Sequence, residues 1–142
     1  MKIDNKIINH FISEEGFVLE KYYDTEGFPT IGIGHKLRAD EINIQKITSQ
    51  QAYDLLQKDI QVALNGCYAI FQDFDTFPEN TKLGILDMIF NLGLTGFSKF
   101  QKTIGLIKSR KFYEASLEAL DSKWARFDVP NRAKRTAKLL AG

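Results

Sequence analysis

The segment YYDTEGFPTIGIGHKL, residues 22–37, restricts the fold of this chain more than any other. It contains three of the chain's ten glycines within eight residues. Aromatic and β-branched residues surround the turn sequence DTEG, and this pattern is typical of a β-hairpin. We therefore predict strands over residues 17–23 and 29–35, and a third short strand before Thr48.

Helical periodicity dominates the rest of the sequence. Apolar residues at helical spacing predict a first helix over residues 4–15. Thr48 and Gln51 fit a capping box, which predicts the start of a long helix. Four further helices are expected, from Pro78 to about Asn91 with Gly93 ending it, near 98–109, near 112–121, and near 131–140 starting at Pro130.

A hairpin followed by helices predicts an α+β fold with a small N-terminal lobe and a mainly helical C-terminal lobe. The chain has 142 residues, a length that fits one domain. We expect a single domain over residues 1–142. Within it, residues 1–47 form the N-terminal lobe, 48–66 a connecting helix and 67–142 the helical lobe.

Cysteine and histidine content argues against disulfide and metal chemistry. The only cysteine, Cys67, cannot form an intramolecular disulfide, and we interpret it as a small buried apolar residue. Neither histidine has other ligands at metal spacing, so we expect no zinc site. The start of the chain, MKIDNKIINHF, has no long apolar run. We expect no signal peptide, no stable membrane insertion, and accumulation in the cytoplasm of the producing cell.

Glu15 breaks the pattern of the first helix, because it falls in the middle of the apolar stripe. A carboxylate there is costly unless it is paired or protonated. Burial would raise its pKa, as a general acid working near neutral pH requires. The alternative is a frayed last turn in which Glu15 points to solvent.

Asp24 opens the hairpin turn, where aspartate commonly forms an Asx turn. The functional alternative places it across a cleft from Glu15. Two carboxylates in different surroundings are the working groups of most glycosidases, one as a proton donor and the other as a partner for water or the sugar.

Thr30 alternates with Gly32 and Gly34 along the predicted second strand. This spacing leaves one strand face with a hydroxyl and nearly bare backbone. Glycine within a strand often marks the close approach of a ligand or of another part of the chain.

Asp59 lies within the apolar stripe of the long helix, and a buried acid needs a cation. His35, at the end of the predicted hairpin strand, is the candidate. We predict a structural ion pair between them, with a charged imidazole whose pKa is raised.

The segment NRAKRTAK, residues 131–138, carries four cations and no acid, although the net charge of the chain is only +1. One interpretation is a solvated helix face. The other is a surface for an acidic polymer, either nucleic acid or an anionic cell-wall glycan.

The sequence EEGFVLEKYYDTEGFPTIGIGHKL closely resembles the signature of phage-type lysozymes, the muramidases of glycoside hydrolase family 24. The resemblance continues at ITSQQAYDLLQKDI, MIFNLGLTGFSKF and SKWARFDVPNRAKR, so it covers most of the chain in the family's order. It implies a two-lobed lysozyme-like fold. It also implies hydrolysis of the β-1,4 bond between N-acetylmuramic acid and N-acetylglucosamine in peptidoglycan, with no metal and no organic cofactor.

The resemblance also implies roles for single residues. Glu15 matches the general acid, Asp24 the carboxylate that positions or activates the attacking water, and Thr30 a residue that helps to hold this water. The family is taken to invert the anomeric centre, which requires carboxyl groups about 6.5–9.5 Å apart.

Three residues in the second half of the chain match further family positions. Arg132 matches an arginine that approaches the catalytic glutamate. Phe90 and Thr103 match positions that line the sugar groove, with core packing as the alternative for Phe90. Lys36 and Glu118 depart from some relatives, which have an apolar residue and Asn there.

These features favour an endolysin that degrades peptidoglycan glycan strands as a monomer and lyses the host. One alternative is a lysozyme domain of a tail spike or of a secreted antibacterial effector. A non-enzymatic alternative is a basic module that binds glycan or nucleic acid through residues 131–138. We expect no nucleic-acid partner, because the cations are few and no aromatic residues lie among them.

Overall fold

A computed structural model describes all residues 1–142, and the chain divides into two compact units. The N-terminal unit comprises Lys2–Gln61. The helical unit comprises Val62–Gly142 together with Met1. The division falls inside the long helix, so this helix contributes to the core of both units.

Elements of the N-terminal unit are two helices and a small sheet. They are α1 (Asn5–Glu15), β1 (Val18–Tyr23), β2 (Pro29–Gly32), β3 (His35–Lys36), a 3-10 turn (Ala39–Glu41) and the first part of α2 (Ser49–Ile70). The three strands form one antiparallel sheet in the order β1-β2-β3. A small sheet in a mainly helical chain confirms the predicted α+β class.

Elements of the helical unit follow the predicted order. They are the end of α2, a 3-10 turn (Phe74–Thr76), α3 (Glu79–Ser98), α4 (Gln101–Lys108), α5 (Phe112–Leu120), a π-helical turn (Trp124–Asp128) and α6 (Pro130–Leu140). Helix α3 is interrupted at Gly93, whose φ of 74° is left-handed. No helix of the chain is both long and apolar enough to cross a lipid bilayer.

Local signals set the helix ends in the N-terminal unit. The Asp4 side chain accepts a hydrogen bond from Ile7 N, and Gly16 ends α1 with its N–H donated to Ile12 O. The predicted capping box is present at α2, because Gln51 N donates to Thr48 Oγ1 and Thr48 N donates to Gln51 Oε1. These bonds satisfy backbone groups that the helix leaves open.

The predicted strand over residues 29–35 is wrong in one respect. A turn at residues 33–34 divides it into β2 and β3, so the second strand ends at Gly32. Gly32 and Gly34 both have a φ of +69°, which is incompatible with a continuous strand. The predicted third strand corresponds to the short β3.

The core of the N-terminal unit lies between α1, the sheet and α2. Its largest fully buried side chains are Phe11, Ile31, Ile33, Leu56 and Ile60. A Cβ atom at Gly32 would lie 3.2 Å from Ile47 Cδ1 and 3.4 Å from Ala52 Cβ. Gly32 therefore clears space for the chain's own packing.

The core of the helical unit surrounds α3, in which every residue from 81 to 89 is buried. A helix that is buried on all sides needs close neighbours. A Cβ atom at Gly84 would lie 2.7 Å from Leu140 N, so α6 packs directly on the α3 backbone. Buried aromatic rings fill the remainder, with Phe71 packed edge-on against Phe77 and Phe97.

Candidate active site

Glu15 is the last residue of α1, and its carboxylate lies against the backbone of Gly34. A Cβ atom at Gly34 would be 2.1 Å from Glu15 Oε2 and 2.6 Å from Cδ. Only a glycine leaves room for the carboxylate there. Glu15 is partly buried and its helical turn is closed by the Gly16 cap, so the frayed-turn alternative does not describe this structure.

Asp24 forms the Asx turn that its position predicts. Its Oδ1 atom accepts hydrogen bonds from Glu26 N at 3.0 Å and from Phe28 N at 2.8 Å. Its own N–H donates to Phe28 O at 2.9 Å. These bonds fix the carboxylate at the turn that joins β1 and β2. The two bonds that the side chain accepts use only Oδ1, so Oδ2 remains available for chemistry.

Thr30 lies on β2 and is only 2% exposed. Its hydroxyl donates to Phe28 O at 2.8 Å. Because this bond uses the only hydroxyl proton, Thr30 Oγ1 can offer a further partner only its lone pairs. It can therefore accept a hydrogen bond from a water molecule but cannot donate one.

The surroundings of Tyr22 indicate that the carboxylates of Glu15 and Asp24 both lie near this residue. Burial raises the pKa of its phenol, and the charges of Glu15 and Asp24 raise it further. Tyr22 is also the cross-strand partner of Thr30. Glu15, Asp24 and Thr30 therefore belong to one locality in the N-terminal unit, which sequence spacing alone could not establish.

His35 makes the contact with Asp59 that the sequence predicts. Its Nδ1 atom lies 2.7 Å from Asp59 Oδ2, and its Nε2 atom lies 3.1 Å from Glu41 Oε1. The hydrogen bond to Asp59 raises the pKa of His35 against the opposing effect of burial. With a carboxylate at each ring nitrogen, the surroundings favour the charged form of the imidazole.

Glu41 is the member of this network that sequence analysis missed. Burial raises the pKa of its carboxyl group, but hydrogen bonds from Arg38 N and His35 outweigh it and lower the pKa overall. The network fixes His35, the residue that directly follows Gly34. A carboxylate six residues after a histidine, within a turn, gives no periodic signal that could have identified it.

Arg132 lies in the helical unit, where it forms a buried ion pair with Asp87. Its Nε atom donates to Asp87 Oδ1 at 3.1 Å, and Thr136 Oγ1 donates to the same oxygen at 3.0 Å. Asp87 is fully buried. Sequence analysis missed Asp87, although it is the only charged residue between Leu83 and Ser98 and so breaks an apolar run.

Phe90 and Thr103 also lie in the helical unit. Phe90 is partly exposed on α3, so it is not a simple core residue. Thr103 lies on α4 and lines a cavity of about 450 Å³. Its other lining residues are mostly polar or charged and include Lys99, Lys102, Glu118 and Asp121. Nowhere in the chain do three His, Cys, Asp or Glu side chains converge as metal ligands would.

Comparison with known proteins decides the family. The family model described as phage lysozyme matches residues 12–138. The chain belongs to the phage lysozyme family. Members of this family are glycoside hydrolases, and this chain is a lysozyme that hydrolyses peptidoglycan.

Similar proteins include members from phages and from an amoeba. A probable T4-type lysozyme 2 of Dictyostelium discoideum is 31% identical, with 86% of this chain and 85% of the relative covered. The endolysin of Salmonella phage P22 is 28% identical over 84% of this lysozyme and 81% of the endolysin. The pre-baseplate central spike protein of Enterobacteria phage T4 is 23% identical, with 89% of this chain but only 26% of the spike protein covered.

Substituting Gly34 tests whether the position of the Glu15 carboxylate matters for activity. In Gly34→Ala the new methyl group must displace this carboxylate, and we expect peptidoglycan hydrolysis to fall about 100-fold or more. Gly93→Ala is the matched control, because Gly93 also has a positive φ but has no atom within 4 Å of an added Cβ. Both variants should lose about 1–3 kcal/mol of stability from backbone strain. The measurement is the release of reducing ends from peptidoglycan. Equal activity in the two variants would contradict a role for the position of the Glu15 carboxylate in hydrolysis.

The His35 ion pair predicts a specific pH dependence of stability. The folded pKa of His35 lies above its ordinary value of 6.5. Its contribution is therefore complete below pH 6.5 and is lost as the pH rises through the folded pKa. We expect the difference in unfolding free energy between the native protein and Asp59→Asn to shrink over that interval.

Urea denaturation at a series of pH values measures this difference. Asp54→Asn is the control, since Asp54 lies on the exposed side of α2 and accepts only from Gln50. Its difference from the native protein should stay constant over the same interval. An Asp59→Asn difference that is equally constant contradicts a charged His35.

Proposed function

We propose that Glu15 is the general acid of this lysozyme and that Asp24 activates the attacking water, with Thr30 helping to hold that water. Glu15 gives its proton to the glycosidic oxygen between N-acetylmuramic acid and N-acetylglucosamine. Water attacks the anomeric carbon from the opposite face as the carbon–oxygen bond breaks, and Asp24 takes a proton from this water. The reaction inverts the anomeric centre.

The contrast between the surroundings of the two carboxylates carries the proposal. Glu15 ends a helix and is partly buried against Gly34. Asp24 lies in the hairpin turn and accepts two backbone N–H bonds on one of its oxygens. Two such environments are what a pair of acid and base carboxylates requires.

Supporting roles follow from the contacts. We propose that His35, with Asp59 and Glu41, fixes the Gly34 turn. The fixed turn keeps the space that the Glu15 carboxylate occupies. In the helical unit, Phe90 and Thr103 are the proposed contacts for the glycan. Arg132 supports that unit through its ion pair with Asp87.

We propose that residues 1–142 act as one monomeric lysozyme domain in an endolysin, which is made in the host and reaches the cell wall after release. Similarity to the endolysin of Salmonella phage P22 supports this use. A second candidate use is a lysozyme module of a tail spike, and similarity to the phage T4 spike protein favours it. Holin-type genes or tail genes beside the coding sequence would separate the two uses.

A non-enzymatic basic module receives less support. Of the four cations in residues 131–138, Arg132 is buried in its ion pair with Asp87. The exposed remainder is Lys134, Arg135 and Lys138. Binding through such a small patch would give no reason for the placement of the Glu15 carboxylate beside Gly34.

Replacing Glu15 tests the proposed roles. Glu15→Gln keeps the size of the side chain but removes the transferable proton, so we expect hydrolysis to fall about 100- to 10,000-fold. Asp24→Asn should lose a comparable factor. Glu14→Gln is the matched control one residue earlier on the same helix turn and should stay close to native activity. The measurement is release of reducing ends from purified peptidoglycan, with folding confirmed by circular dichroism.

Two results would overturn the assignment. One is a Glu15→Gln variant that cleaves at the native rate. The other is a Glu14→Gln variant that loses as much activity as Glu15→Gln, since the effect would then belong to the helix end and not to one carboxylate.

A further inference from the structure

Tyr22 shares a face of the sheet with Thr30. It lies on β1 directly opposite Thr30 on β2, and Lys36 on β3 continues the same row. Side chains of directly opposed residues in antiparallel strands project to the same side and lie close together. The phenol of Tyr22 and the hydroxyl of Thr30 are therefore neighbours.

Asp24 follows Tyr22 by two residues. Because the Asp24 N–H still donates to Phe28 O, the extended ladder continues past the end of β1. Residues two apart on an extended segment project to the same side. Asp24 and Thr30 therefore flank the Tyr22 phenol. The charge of Glu15 also raises the pKa of this phenol, so the proposed acid lies near it as well.

The phenol is protonated at neutral pH. Tyr22 is partly buried, and both burial and the two neighbouring carboxylates raise its pKa above the ordinary value of 10.0. It is therefore a neutral hydrogen-bond donor beside two acceptors, Asp24 and Thr30. Asp24 accepts when it is ionised, and Thr30 has spent its proton on Phe28 O.

A nucleophilic water at this point has two protons and two lone pairs, and each of them needs a partner. Its two protons can point to the free oxygen of Asp24 and to Thr30 Oγ1, which are both acceptors. One lone pair must face the anomeric carbon. The other lone pair needs a donor, and the chain offers the Tyr22 hydroxyl on the same face of the sheet.

We propose that Tyr22 is the water-positioning donor of this enzyme, its hydroxyl hydrogen-bonded to the oxygen of the attacking water. The inference rests on the proposed roles of Glu15 and Asp24. It assigns Tyr22 to the orientation of the nucleophile, so the loss of the hydroxyl affects the chemical step and leaves glycan binding unchanged.

Removing the hydroxyl tests the inference. In Tyr22→Phe we expect kcat on soluble glycan strands to fall about tenfold or more, as the loss of one hydrogen bond predicts, with KM unchanged. Tyr23→Phe is the matched control, because Tyr23 is the next residue on the same strand, points to the other face and is 65% exposed. It should keep native kcat and KM.

A second variant separates a donor from a merely structural hydroxyl. Replacing Tyr22 by 4-aminophenylalanine restores an N–H donor at the same ring position, and we expect it to recover most of the kcat that Tyr22→Phe loses. Native kcat in Tyr22→Phe overturns the inference. So does a change confined to KM, or a 4-aminophenylalanine variant as impaired as Tyr22→Phe.

Glu15→Gln in the same assay keeps the two proposals distinguishable. If Glu15→Gln is inactive while Tyr22→Phe keeps native kcat, only the inference on Tyr22 fails. If Glu15→Gln retains native kcat, the proposed acid is wrong and the inference on Tyr22 falls with it.

Discussion

The contact between the Glu15 carboxylate and the backbone of Gly34 is the constraint on which the rest of the site depends. It requires that α1 end at Glu15, and the Gly16 cap provides this end. It also requires a turn without a side chain between β2 and β3, which Gly34 provides with its positive φ. The charged His35, held between Asp59 and Glu41, then fixes the residue that follows this turn. Local capping, a glycine turn and an ion pair thus converge on one carboxylate.

The same hairpin gives the second carboxylate a different environment. Asp24 accepts hydrogen bonds from backbone N–H groups of its own turn, whereas Glu15 lies at a helix end against the backbone of Gly34. In the proposed mechanism, this difference in surroundings separates the acid, Glu15, from the base, Asp24.

Sequence reasoning succeeded where a local pattern determines the structure. The Thr48 capping box and the Asx turn at Asp24 depend on neighbours within a few residues, and both are present. It left open what depends on a distant partner. The alternation of glycines allowed either a ligand or another part of the chain as the neighbour, and Gly32 makes room for Ile47 and Ala52. No spacing rule reveals which distant side chain fills the space beside a glycine.

The central claim is that Asp24 activates water and does not attack the sugar itself. Proton NMR of peptidoglycan glycan strands, recorded within the first minutes of digestion, shows the anomeric configuration of the new reducing ends before mutarotation. We expect α-configured N-acetylmuramic acid ends, because a single displacement by water inverts the β linkage. Ends that form first in the β configuration would show a covalent intermediate and would contradict it.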